Sequence, residues 1–185
     1  PKELLFYLLD PKADLVRYDG IPSVIGTASD KTDIIMSLES ILLEMKKRQN
    51  EMKSMKITDW NRKYPNKAKP HIIVIFDEID SVIGKQYNDT KSNIIRTDIT
   101  QIVKQGRSSG IHLILASQRP VKANLDTNIK SEIKARIALK LDTPTDSRIM
   151  LNQGGAEKLA GNGDAYITTG DTPKRMQIAY ATWDE

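Results

Sequence analysis

Three short apolar runs dominate the pattern along this chain: Leu4–Leu9, Ile72–Phe76 and Ile111–Ala116, the last broken only by His112. Each has the length of a strand and none alternates with polar residues, which predicts strands buried on both faces of a parallel sheet. Between them the period changes. Ile34, Ile35, Leu38, Ile41, Leu42 and Met45 recur at three- and four-residue spacing, so a helix is predicted to start at Asp30 or Thr32, either of which can cap it. A second helix is predicted from about Asn93 to Gln105, with Ile94, Ile95, Ile99, Ile102 and Val103 inward and Gly106 as its left-handed stop. Gly20, Pro22 and Gly26 mark a loop, Asp59–Pro70 a polar connection, and Gly84–Lys91 a mobile loop. Further on, a short helix is predicted at Asn128–Lys134, strands at Ile137–Leu141, Ala165–Thr168 and Met176–Ala181, and a helical turn at Asp146–Leu151. Strands alternating with helices predict one α/β domain spanning residues 1–185.

The candidate chemistry sits just past the second and third runs. Asp77 and Glu78 stand directly after Phe76, and Ser117-Gln118-Arg119 directly after Ala116. In an open α/β sheet the carboxyl ends of the strands border the ligand crevice. A carboxylate pair is costly to desolvate there, so it ordinarily serves a cation or a reactive water. An apolar strand ending in Asp-Glu has the pattern of a Walker B motif, whose first acid holds Mg²⁺ and whose second polarises water. The plainer alternative is a strand that ends in a solvated acidic turn. Two buried strands offering polar side chains at one sheet edge are more specific than either alone.

Composition narrows the choice. With no cysteine and only His71 and His112, thiolate and histidine metal centres are disfavoured, and both histidines fall where a structural role suffices. No apolar run approaches the roughly 20 residues of a membrane span. A net charge of +4 from 28 basic and 24 acidic residues permits a polyanionic partner without demanding one. The basic stretch Glu44–Lys56 is predicted as the solvated end of the first helix, its cations complementing the helix dipole. Pro1–Asp10 lacks the layout of a secretion signal, and a strand arriving at Leu4 leads to the expectation of a fragment.

The segments LLDPKADLVRYDGIP, IVIFDEID, QGRSSGIHLILASQRP and DSRIMLNQGGAEKLAGNGDAYI, in that order, resemble successive blocks of the FtsK/SpoIIIE motor domain, with similarity also to conjugative and type VII secretion ATPases. That resemblance implies a RecA-like P-loop NTPase core and an ATP- and Mg²⁺-dependent motor that moves double-stranded DNA through a hexameric ring. The alternatives are a secretion ATPase acting on protein and a degenerate, non-hydrolysing ring module. By the same resemblance Asp77 would hold Mg²⁺, Glu78 would activate water, Gln118 would sense the γ-phosphate, and Arg107 would reach an adjacent subunit's nucleotide. Arg119, Lys130 and Arg148 match basic positions that line the pore. Judged without the resemblance, Arg107 and Arg148 are equally suited to surface salt bridges, Lys130 to a helix surface, and Gln118 to satisfying backbone at a strand end. Two departures stand out. No GxxxxGK[ST] occurs in the 185 residues, so the strand and phosphate loop expected before Leu4 are missing and hydrolysis by this stretch alone is not expected. Asp80 follows Asp77 by three residues where such translocases commonly have an aspartate four after. A cytoplasmic protein tethered to the membrane through other segments is the implied setting.

Overall fold

A computed structural model describes residues 3–84, 86–118 and 127–180. The chain forms two compact units, Pro1–Gln118 and Arg119–Glu185.

In the first unit, β1 (Leu4–Leu9), β2 (Val24–Ala28), β3 (His71–Phe76) and β4 (Ile111–Leu115) form one parallel sheet in the order β2-β1-β3-β4. The helices are α1 (Lys31–Ser54), α2 (Trp60–Lys63), α3 (Asp80–Ile83) and α4 (Thr90–Gln105). Asp30 starts α1 by accepting the amides of Thr32 at 2.7 Å and Asp33 at 3.1 Å, and Asp89 starts α4 by accepting that of Ser92 at 2.9 Å. These two helices pack on each other and on the sheet, α1 beside β2 and α4 beside β4. Ile34, Leu38, Ile41 and Met45 of α1 and Ile95, Ile99 and Ile102 of α4 bury the core, together with Ile72, Val74, Phe76 and Leu9.

Several sequence expectations are revised by this unit. Burial along β3 alternates, with Ile72, Val74 and Phe76 enclosed and Ile73 and Ile75 half-buried, so one face of the sheet is well covered rather than both. The stretch taken for a loop around Gly26 contains β2. A Cβ on Gly26 would lie 2.7 Å from the Tyr7 ring, so its glycine marks a close approach between strands, not a break. Gly106 ends α4 in a right-handed conformation. Its missing side chain is required because a Cβ would meet the carbonyls of Ile102 and Ile111 at 2.7 and 2.8 Å, and it is Gly110 that turns left-handed (φ 69°). α4 also begins at Thr90, earlier than its apolar period suggests, because Asp89 is the cap.

In the second unit, β5 (Arg136–Ala138), β6 (Asp164–Thr168) and β7 (Lys174–Gln177) form an antiparallel sheet, accompanied by α5 (Thr127–Glu132) and α6 (Pro144–Leu151). Ala138, Leu151, Ala156 and Leu159 make its core. Arg175 grips Asp164 with two nitrogens at 2.8 and 2.6 Å, and this pairing holds the Asp164 carboxyl down to about 2. No helix of the described residues is long and apolar enough to cross a membrane.

Candidate functional site at the carboxyl edge of the sheet

Parallel pairing in register brings three chain segments to one rim. Leu9 pairs with Phe76 and Phe76 with Leu115, so Asp10, Asp77 and Ala116 emerge side by side. The ladder continues past the strands: the Asp77 amide donates to Leu9 at 2.9 Å, Ala116 to Phe76 at 2.9 Å, and Ile79 to Ala116 at 3.1 Å. Gln118 is exposed two residues beyond Ala116, at the same edge as Asp77 and Glu78. Asp80 opens α3, and its Oδ2 accepts the Ser117 hydroxyl, which ties the ends of β3 and β4 together.

Glu78 is the distorted member of this group. Its φ of 48° lies in the left-handed region, which costs a non-glycine residue roughly 1–2 kcal/mol. Its neighbours fix that conformation. The Glu78 amide donates to Asp77 Oδ1 at 2.9 Å, while the Ser81 amide and hydroxyl donate to the Glu78 carbonyl at 2.9 and 2.8 Å. The Glu78 carboxylate accepts Lys12 Nζ at 2.7 Å. Backbone strain held by surrounding bonds concentrates at functional positions.

In the sequence, Asp10-Pro11-Lys12 reads only as a turn, since proline cannot continue a strand ladder, and neither Asp10 nor Lys12 is singled out there. Asp10 is buried and organises the loop after β1, accepting the amides of Lys12 at 2.8 Å and Leu15 at 3.0 Å. The available signal was that all three apolar runs, not two, end in polar residues.

Arg107 stands at the opposite rim, in the turn before β4. Ile72 donates there to Gly110, and the five residues of β4 at ~3.3 Å each put about 16 Å between the two edges. A cavity of about 190 Å³ at this rim is lined by Arg48, Trp60, His71 and Arg107 among others. Arg48, placed by sequence on a solvated helix end, is instead buried. Its Nη1 donates to Pro70 and Ser109 carbonyls, both at 2.9 Å, and its Nε to Glu44 at 2.8 Å. The two histidines form a chain whose proton positions follow from Asn61. That amide gives to the Lys69 carbonyl (2.9 Å) and takes its N–H (2.8 Å), so its nitrogen also donates to His71 Nε2 at 3.2 Å. His71 Nδ1–H then donates to His112 Nε2 at 3.0 Å. Burial, His71 and Arg107, in that order, lower the His112 pKa.

Residues 1–162 match a model of the FtsK/SpoIIIE family. The chain belongs to that family. It is 34% identical to DNA translocase FtsK of Corynebacterium efficiens and 32% identical to DNA translocase SpoIIIE of Bacillus subtilis, in each case over its whole length. It spans 21% and 25% of those proteins. Among solved structures it resembles the pCW3 conjugation coupling protein TcpA with ATPγS (TM-score 0.83, 20% identity, 94% of this chain and 51% of that one). It also resembles the type VII secretion ATPase EccC of Thermomonospora curvata (TM-score 0.78, 21% identity, 97% and 22%). These likenesses establish the ATPase fold that the sequence blocks implied.

For a member of the FtsK/SpoIIIE family, the donor set at this rim suits magnesium bound chiefly through phosphate and water. Asp77 is half-buried; one oxygen takes the Glu78 amide and the other accepts no hydrogen bond among the described residues. No cluster of three acidic or histidine ligands occurs among the described residues either. Mg²⁺ is commonly held by one or two carboxylates plus substrate phosphates. In the second unit, Lys130 lies half-buried on α5 with its carbonyl accepting Arg136 at 2.9 Å, and Arg148 is exposed on α6. Arg119 lies outside the described residues.

Proposed function

We propose that this chain is the Walker B part of an ATP-driven motor that translocates double-stranded DNA. The reading rests on one observation: Asp77, strained Glu78 and Gln118 end neighbouring strands at one edge of the parallel sheet. Asp77 would hold Mg²⁺, which supplies charge neutralisation at the phosphates of ATP. Glu78 orients and polarises the attacking water, and Gln118 contacts the γ-phosphate from the adjacent strand. Arg107 acts on a neighbouring copy in a hexameric ring, since a guanidinium supplied in trans stabilises charge in phosphoryl transfer. Arg119, Lys130 and Arg148 contribute phosphate contacts to DNA, which are independent of sequence and weakened by salt. The working setting is the cytoplasmic face of a membrane, reached through segments beyond this stretch.

In the full-length protein, Glu78→Ala abolishes DNA-stimulated ATP hydrolysis while retaining ATP binding. Undiminished turnover in that variant refutes the assignment. Stimulation by a secreted polypeptide, with indifference to duplex DNA, would move the chain to the secretion branch suggested by its likeness to EccC.

A further inference from the structure

We propose that Lys12 is a positioning residue that restrains Glu78 and so slows hydrolysis in the absence of DNA, because the carboxylate it holds is free to engage the attacking water for only part of the time. The inference rests on the proposed role of Glu78 in hydrolysis. The Lys12 ammonium lies 2.7 Å from Glu78 Oε1, and an oxygen bonded to an ammonium offers that lone pair less readily to water. The two ends of the lysine are anchored very differently. Its backbone is fixed, because Asp10 takes the Lys12 and Leu15 amides while the Asp10 amide itself donates to Ala28 at 2.8 Å. Its side chain is 52% exposed against 12% for Glu78, so the ammonium can swing away by rotation about side-chain bonds without moving the loop. Asp14 and Asp77 add attraction of the same sign at longer range, so the ammonium rests among carboxylates.

The strength of such a pair suits a restraint rather than a block. A half-exposed ion pair biases its two states by no more than about fivefold, which leaves it reversible. The Glu78 backbone is held by Asp77 and Ser81, and its side chain is the more enclosed of the pair. Release of the restraint is therefore assigned to the lysine.

The test uses the full-length protein without DNA. Lys12→Met should raise kcat for ATP roughly two- to fivefold with KM unchanged, and Lys12→Arg, which restores a cation, should return kcat to near the wild-type value. A second readout needs no turnover. In nucleotide-free protein, competitive acetylation followed by peptide mass spectrometry should label Lys12 several-fold faster in Glu78→Gln than in wild type, with exposed Lys104 as the internal reference, because the Glu78 hydrogen bond raises the lysine's pKa. An unchanged or reduced kcat in Lys12→Met alongside an inactive Glu78→Gln overturns the restraint alone. A higher KM with no gain in kcat makes Lys12 a nucleotide contact and also overturns it. Equal labelling of Lys12 in the two proteins removes the pair itself. An active Glu78→Gln enzyme would overturn the catalytic reading of Glu78, and the inference with it.

Discussion

His112 shows how a single side chain can tie stability to acidity. Its imidazole takes a proton less readily in the folded protein than in the unfolded chain, because it is partly enclosed and faces His71 and Arg107. A folded-state pKa below the unfolded one gives stability that is complete above the ordinary histidine value near 6.5 and is lost as pH falls through the lower, folded value. Urea midpoints measured between pH 7.5 and 5 should therefore drop more steeply for wild type than for His112→Gln, which can still accept from His71 through its amide oxygen. Parallel curves for the two proteins would show that the histidine chain does not contribute. Glu78 illustrates a different case at the same scale, a residue kept in an unfavourable conformation by three local hydrogen bonds, its amide giving one to Asp77 and its carbonyl taking two from Ser81.

Among the elements, α1 is held to the sheet by a buried cation as well as by its apolar stripe. Arg48 satisfies the carbonyl that precedes β3 and the one just ahead of β4, so removal of its side chain strands two acceptors at once. Arg48→Ala should cost about 2–4 kcal/mol in urea unfolding, against about 1 kcal/mol or less for an exposed position such as Lys104. A loss no larger than that of the surface control would show that water replaces the guanidinium.

Arg48 also marks where sequence reading stops. The helix around it was plain from the spacing of Ile34, Leu38, Ile41 and Met45, all enclosed as that spacing requires. Past Met45 the pattern turns basic, and charge alone cannot reveal that one cation of the series faces inward toward strand-end carbonyls distant in sequence. β2 was hidden for a related reason. Two glycines and a proline within seven residues suggest a loop, and only the Tyr7 ring lying against Gly26 explains why a strand needs that residue. At the carboxyl edge, Asp77, Glu78 and Gln118 were legible because parallel strands deliver their next residues to one side. Lys12 was not, since its partner lies 66 residues away and nothing local announces the pairing.

At the scale of the whole molecule, membership in the FtsK/SpoIIIE family and the four-stranded parallel sheet agree on the fold. This stretch amounts to about a quarter or less of the length of its curated relatives, and the 185 residues hold no GxxxxGK[ST] segment. The rim formed by Asp77, Glu78 and Gln118 is accordingly tested in the full-length protein, to which the proposed hydrolysis belongs.

β4 carries Arg107 before its first residue and Gln118 beyond its last, and a rigid strand cannot fold back to let the two meet. Each copy would then own a donor it can only lend. Two crippled preparations of the full-length protein, Arg107→Ala and Glu78→Ala, should each be inert, yet blending them should revive part of the lost turnover wherever an intact arginine borders an intact acid. Failure of the blend to revive would mean that Arg107 works for its own chain or not at all.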